Sequence, residues 1–299
     1  MRALVISGGG SKGAFAGGVA QYLIEIEKNK YDVFIGTSTG SLLIPHLALG
    51  DIDKIYKIYT NVDMKKIFNV NPFVVKNKNG MDIVTINHVN VIWQFLKRKR
   101  TFGESKRLLK YIKKKFTVSE FNQLKALKTD IIITVTNLST NEAEYKSIHG
   151  CTYDEFCEWV WISSNYIPFM SLVSKEGFDY GDGGFSSLVT IRQAIIRGAT
   201  EIDVIVLETE KTLDKIAIGK NPFSLLIDLF RIELDQIEKH DILLGKISAE
   251  DNKVKLNIYY TPINLTHNAL IFNRNRMKEW WKAGYEYASN KLQNVPANK

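Results

Sequence analysis

The sequence predicts an α/β fold: a three-layer α/β/α arrangement whose central sheet is mostly parallel, carrying a Lys-rich helical insertion. Three observations point that way. Two strand-then-helix units follow one another at the start of the chain, and such units build parallel sheets with right-handed crossovers. Buried-type apolar runs recur later, DIIITVT at 130–136 and EIDVIVL at 201–207, between amphipathic stretches. A chain of 299 residues with 45% hydrophobic content is long enough to bury one large core.

The elements follow in order. Residues 3–7 read as the first strand, and a glycine-rich stretch starts at Gly8. Residues 14–28 place Phe15, Val19, Tyr22, Leu23 and Ile26 near one face of a helix. A second strand spans 32–35 and a second helix 38–49. From 51 to 128 the rhythm changes to Lys-rich, helix-like pieces with poorer strands, which predicts a helical insertion on the α/β core. Strands resume at 130–136 and 143–147, and 150–161 reads as a helix. Residues 178–181 form a strand leading into Asp182-Gly183-Gly184. Helix 190–197, strand 201–207, a long amphipathic helix 222–244, strand 253–260 and a closing helix 274–292 complete the pattern. The expectation is one α/β domain over 1–292, with 51–128 inserted in it and 293–299 as a flexible tail.

Composition excludes several classes. No apolar run is long enough to span a bilayer. The five-residue apolar stretch after Arg2 is too short for a secretory h-region. A cytoplasmic protein, peripheral at a membrane if membrane-bound at all, is the expectation, with export by a signal-peptide-independent route left open. Cys151 and Cys157 make neither a disulfide framework nor a zinc pattern, and a reducing compartment suits them. No metal or cofactor is expected.

The net charge of +8 is concentrated in one place. Residues 96–115 hold Lys97, Arg98, Lys99, Arg100, Lys106, Arg107, Lys110, Lys113, Lys114 and Lys115 against the single acid Glu104. This stretch carries +9 and the rest of the chain −1. Within it, Leu108, Leu109, Ile112 and Phe116 fall along one helical side. They read either as a core-facing stripe with a solvated charged back, or as a basic amphipathic helix on an anionic membrane surface. Each basic residue near such a surface is worth about 1 kcal/mol. No nucleic-acid partner is expected, because no recognised fold or aromatic stacking platform accompanies the charge.

Gly36-Thr37-Ser38-Thr39-Gly40 matches G-x-S-x-G between a strand and a helix. That motif sets a serine on a strained strand-to-helix turn with its hydroxyl exposed. Three fixed common residues match by chance roughly 0.1 times in a chain of this length, so the flanking strand and helix carry much of the signal. A helix-capping turn is the bland alternative. Gly8-Gly9-Gly10-Ser11-Lys12-Gly13 also fits G-x-G-x-x-G, but no acid ends the second strand to hold a ribose. A P-loop fails as well, since Gly13 follows Lys12 where Ser or Thr is required. In a parallel sheet both turns share the carboxyl edge, so the glycine N–H groups can face an oxyanion formed at Ser38.

The base is open between a histidine and a carboxylate. His46, His88 and His149 sit poorly in sequence, and His240 and His267 come late enough but lack a motif. Asp182 ends a strand with two glycines behind it, a setting that presents a side chain at a sheet edge. Burial there would raise its pKa and make it a stronger base. An ordinary Asp-Gly-Gly turn is the alternative.

Taken in order, these motifs resemble the patatin-like phospholipases. The oxyanion loop would be Gly8, Gly9, Gly10, Lys12 and Gly13. The nucleophile elbow would run from Gly36 to Gly40, and Asp182, Gly183 and Gly184 would carry the partner of a Ser–Asp dyad. Residues 162–169 resemble the family's Ala-Ser-x-Ala-x-Pro stretch, and 182–208 its Asp-Gly-Gly, helix, Gly-Ala, strand sequence. The resemblance covers about 1–50 and 130–210. It implies a serine lipid acyl hydrolase of phospholipase A or lysophospholipase type. Ser38 would be the nucleophile and Asp182 the base. The N–H groups of Gly9 and Gly10, with Thr39, would form the oxyanion hole, and a phospholipid or other acyl ester the substrate. An acyltransferase or non-lipid esterase with the same dyad, and a lipid-binding protein without turnover, are the alternatives. Three departures bear on substrate detail: Ser7 before the glycines, Tyr166 at a usually small position, and Leu188-Val189 where the family has Asn-x-Pro.

Overall fold

The computed structural model describes residues 1–78, 81–210, 219, 221–266 and 268–293. The chain begins with β1 (Arg2–Ile6), α1 (Gly13–Glu25), β2 (Val33–Thr37) and α2 (Thr39–Ala48). Next come α3 (Ile52–Thr60), α4 (Met64–Ile67), β3 (Phe73–Lys78), β4 (Met81–Ile86), α5 (His88–Leu96), α6 (Lys106–Lys115) and α7 (Val118–Ala126). The core resumes with β5 (Asp130–Asn137), β6 (Glu142–Ser147), α8 (Tyr153–Ser163), β7 (Val173–Lys175) and β8 (Phe178–Asp182). It closes with α9 (Ile191–Ile196), β9 (Glu201–Val206), α10 (Pro222–Asp251), β10 (Lys255–Tyr260) and α11 (Arg274–Gln293).

The main sheet runs β10-β9-β1-β2-β5-β8-β7, with β6 also paired to β5. The five strands from β10 to β5 are mutually parallel, and β6, β7 and β8 add antiparallel pairings. The period-2 alternation of a strand sorts its side chains between two cores. Leu4 and Ile6 of β1 join Phe15, Leu43, Phe156 and Trp281 on one face, where α1, α2, α8 and α11 pack. Ala3 and Val5 point the other way, toward Ile191, Ala194 and Ile242 of α9 and α10. This is the three-layer α/β/α arrangement that the sequence predicts.

Boundaries and the insertion differ from expectation. The helix expected from 150 begins at Tyr153, where Thr152 and Glu155 close a reciprocal capping box. The long helix expected at 222–244 continues to Asp251. The segment 51–128 is not wholly helical, because β3 and β4 pair antiparallel as a separate two-stranded sheet. Alternation in Phe-Val-Val-Lys and Ile-Val-Thr-Ile around an Asn-Gly pair was the available signal. The tail expected to be flexible begins at Gln293, the end of α11, and its remainder lies outside the described residues.

One buried charge ties the sheet to the chain start. Asp203 of β9 is fully buried and accepts from Arg2 Nε at 3.1 Å and Nη2 at 2.8 Å, from the Tyr31 hydroxyl at 2.7 Å and from Asn257 Nδ2 at 2.9 Å. Removing one partner of such a pair leaves an uncompensated buried charge and costs about 3 kcal/mol or more. Arg2→Leu is therefore expected to lower the urea midpoint by an amount equivalent to about 3 kcal/mol. A midpoint unchanged within error would show that Tyr31 and Asn257 alone satisfy the carboxylate.

Candidate active site

The site starts from strand register. β2 and β8 lie end to end along one edge of β5, opposite the edge that β6 takes, with Thr37 level with Thr134 and Asp182 level with Val135. Ser38, one residue beyond Thr37, therefore meets Asp182 where the ends of the two strands converge on that edge. Ser38 Oγ donates to Asp182 Oδ2 at 2.7 Å.

Ser38 adopts φ 53° and ψ −115° at the start of α2, a conformation strained for a residue with a Cβ. The flanking glycines let the turn be this tight. A Cβ on Gly36 would lie 2.5 Å from the carbonyl carbon of Gly40, and one on Gly40 would lie 2.2 Å from the Ile6 carbonyl oxygen. The turn is also held from outside. The Ser38 N–H donates to Ser163 Oγ at 2.9 Å, and Ser164 Oγ donates to the Ser38 carbonyl at 3.2 Å. The neighbouring Asn165 carbonyl accepts the Asp182 N–H at 3.0 Å. The 163–165 segment thus grips both ends of the Ser38–Asp182 pair.

Asp182 is 4% exposed. Its Oδ1 accepts from the Gly184 N–H at 2.8 Å, and Thr136 Oγ1 donates to its carbonyl at 2.7 Å. Burial penalises the carboxylate and raises the pKa to about 7, while the bonds from Ser38 and Gly184 oppose the shift.

The glycine loop lies against the elbow. Thr39 Oγ1 and the Tyr59 hydroxyl both donate to the Gly10 carbonyl, which fixes the loop's direction. Among the described residues no protein acceptor stands opposite the N–H groups of Gly9 and Gly10. Gly13 opens α1, tight against the Thr39 methyl. Lys12 is buried and ion-paired with Glu208.

A cavity of about 220 Å³ opens from these groups. An engineered cavity of about 150 Å³ already holds benzene, so there is room here for an alkyl segment. Gly8, Gly9, Gly10, Lys12, Ser38, Thr39 and Asp182 all line it. Its apolar end is built largely by the inserted segment, through Ile55, Ile58, Ile67, Leu108, Ile112 and Phe116. Leu108, Ile112 and Phe116 of the stripe are therefore buried and Leu109 half-buried, while Lys106, Lys110 and Lys114 face out. Tyr166 stands in the wall, stacked on Phe185 with centroids 5.6 Å apart.

The other candidate bases fall away from Ser38. His46 lines the cavity edge-on to Phe116, and burial lowers its pKa to about 4. His240 and His149 are exposed, and His88 packs on Phe223. His267 lies outside the described residues. Among the described residues, one group brings three possible metal-ligand atoms within 4.8 Å, namely His46, Asp51 and Glu120. Glu120 is already bonded to Lys54 and Thr117 there, as in a structural ion pair.

Two residues of α10 escaped the sequence reading. Asp241 accepts the N–H groups of Leu188 at 2.6 Å and Val189 at 2.9 Å, so it holds the segment after Asp182 where the family has Asn-x-Pro. Glu238 is buried in the cavity wall with Oε2 unpartnered among the described residues, and burial with nearby Glu208 raises its pKa to about 8. Neither has a local motif. Both are single acids on one turn of a long helix.

An α/β sheet thus presents a serine on a strained elbow to a buried carboxylate, an arrangement of the serine-hydrolase type. The family model for patatin-like phospholipases matches residues 4–195, more than half of the chain, and the chain belongs to that family. No curated protein sequence matches it. Among solved structures, VipD from Legionella pneumophila is similar in fold, with a TM-score of 0.55 and 16% sequence identity. The match covers 98% of this chain and 66% of that one, so the chain spans about two thirds of VipD's length.

The two raised acids make stability depend on pH. Asp182 and Glu238 bind protons more tightly folded than unfolded. Their contribution is complete below the unfolded values of about 4 and is lost as pH rises through about 7 and 8. Asp182→Asn removes one of these losses. Its Tm is expected to exceed the wild type's by a margin that grows between about pH 4 and pH 7 and then levels off. Calorimetry showing a margin independent of pH would refute the assignment.

Proposed function

We propose that the protein is a serine lipid acyl hydrolase that cuts fatty acyl esters with Ser38 as nucleophile and Asp182 as base. The observation that carries this reading is the 2.7 Å bond from the Ser38 hydroxyl to a buried carboxylate, at the mouth of an apolar cavity. A base whose pKa lies near the operating pH combines availability with proton affinity, and Asp182 at about 7 meets that condition.

The steps balance within these residues. Ser38 Oγ bonds to the ester carbonyl carbon while its proton passes to Asp182. The oxyanion takes the N–H groups of Gly9 and Gly10. Collapse breaks the carbon–oxygen bond to the leaving alcohol, which takes the proton from Asp182 and leaves an acyl-enzyme. Water then gives a proton to Asp182 and attacks the acyl carbon. The fatty acid departs as Ser38 recovers its proton. The acyl chain lies along Leu108, Ile112 and Phe116.

An anionic lipid surface is the proposed partner of residues 97–115. The heads of Lys106, Arg107, Lys110 and Lys114 are exposed, while Lys113 pairs with Asp154 and Lys99 with Glu104. Because the apolar side of α6 lines the cavity, this contact is electrostatic and should weaken with salt.

Fatty acid released from mixed phospholipid vesicles tests the reaction. Ser38→Ala is expected to abolish release, and Asp182→Asn to lower it about 100- to 10,000-fold. Release that persists in Ser38→Ala would sink the mechanism. Since Asp182 must be ionised to act, kcat/KM should rise with pH and level off above about 7. A profile flat from about pH 5 to 8 would point to a different base. Ile112→Trp fills the apolar end and should shift preference toward shorter acyl chains. An unchanged ratio of short- to long-chain turnover would place the acyl chain elsewhere.

A further inference from the structure

Helix α5 is built inside out. Val89, Ile92, Trp93 and Leu96 fall at i, i+3, i+4 and i+7, the spacing of one helical face. That face is turned to solvent, with exposures of 77%, 57%, 53% and 70%. The opposite side buries Val91 together with Gln94, whose Nε2 has no hydrogen-bond partner among the described residues. A helix that packed only to stabilise a water-soluble core would show the reverse pattern. Phe95 is also 62% exposed. Contiguous apolar surface of this kind marks an interaction site.

The surroundings identify the partner. Lys97, Arg98, Lys99 and Arg100 follow the helix directly, and Lys97 Nζ lies 4.9 Å from the Trp93 ring centroid. Lys99 pairs with Glu104 and Arg100 with Asp179, while Lys97 and Arg98 have no carboxylate partner among the described residues. Trp, Phe and Leu beside free cations suit the headgroup boundary of an anionic bilayer, where rings sit among acyl chains and ammonium or guanidinium groups meet phosphate. The helix is also close to the cavity. Phe95 packs on Phe102, and Phe102 and His88 pack on Phe223 of α10. One turn further along α10, Ile227 lines the cavity.

We infer that α5 is a membrane-insertion element: Val89, Ile92, Trp93 and Leu96 enter the interface of an anionic bilayer, and Lys97 and Arg98 bind its headgroups. The inference deepens the lipid-hydrolase reading by assigning the surface that holds the cavity against its substrate. It differs from electrostatic adsorption through α6, because its main term is apolar and survives salt.

The test uses the full chain carrying Ser38→Ala, so that vesicles are not consumed and binding is read apart from catalysis. Partition onto vesicles of phosphatidylcholine with phosphatidylglycerol is expected to fall about tenfold or more in Ile92→Ser/Leu96→Ser. Lys97→Gln/Arg98→Gln should remove part of the preference over phosphatidylcholine alone. Brominated lipid should quench emission that is absent from Trp93→Phe. The substituted side chains are exposed, and circular dichroism with turnover of a short soluble ester, measured with Ser38 intact, checks that each variant folds. Equal partition of the parent and the Ile92→Ser/Leu96→Ser variant would overturn the inference. So would an absence of Trp93-dependent quenching, or a dimer that this variant disperses, which would make a second copy the occupant of the face. Failure of the hydrolase reading appears separately, as vesicle binding without fatty acid release from the protein with Ser38 intact.

Discussion

The structure depends on one constraint: a serine hydroxyl and a carboxylate 144 residues apart must meet where water is scarce. Neither backbone could be placed freely. Ser38 takes a strained conformation, and Asp182 gives up solvent that would have held its pKa near 4. Such costs persist only where the surroundings over-determine the geometry. Here the surroundings are β5, along one edge of which β2 and β8 end beside each other, and the 163–165 segment, which bonds to the backbone of both residues.

Sheet topology follows from the same demand. A wholly parallel sheet would deliver every helix-preceding turn at one edge, but it would bring no strand in from the opposite direction to meet the end of β2 beside β5. The antiparallel β8 does so, and ends with Asp182 level with Val135. The Asp182-Gly183-Gly184 turn then packs tightly, with Gly183 against the Thr134 carbonyl and the Gly184 N–H on the carboxylate. Asp241 continues this bracing from the other layer by holding Leu188 and Val189. A break in α10 at that point would loosen the segment after the carboxylate without touching Ser38.

Much of this was legible in the sequence because the site is made of short local patterns. A strand, a glycine-flanked serine and a helix can be read from a dozen residues. The same holds for the glycine loop and for an aspartate between a strand and two glycines. The layers were legible too, because strand–helix units follow one another and runs such as 3–6 are apolar throughout, as a strand with a core on each face must be: Leu4 and Ile6 meet one, Ala3 and Val5 the other. What could not be read is whatever depends on two distant segments. Glu238 and Asp241 look like ordinary polar positions of an amphipathic helix until the other layer closes over them. The β3–β4 hairpin was obscured by lysines within its alternation, and lysine is a poor strand former whose effect on the pairing depends on which face it occupies.

The basic insertion shows why composition alone misleads about a role. A cluster of ten cations suggests that charge is the segment's contribution. Yet the apolar residues between those cations, Leu108, Ile112 and Phe116, form the far wall of the cavity. Burying a large aliphatic or aromatic side chain is worth about 1.5–3 kcal/mol, against about 1 kcal/mol for a cation near an anionic surface. Packing therefore decides the orientation of α6, and the lysines take the side that remains. In α5 the balance is reversed. It packs through Val91, through Phe95 on Phe102 and through His88 on Phe223, and the face left outside is the apolar one. A fold that spends its apolar residues on a cavity wall in one helix and on solvent in the next is arranged around something apolar that the chain itself does not supply.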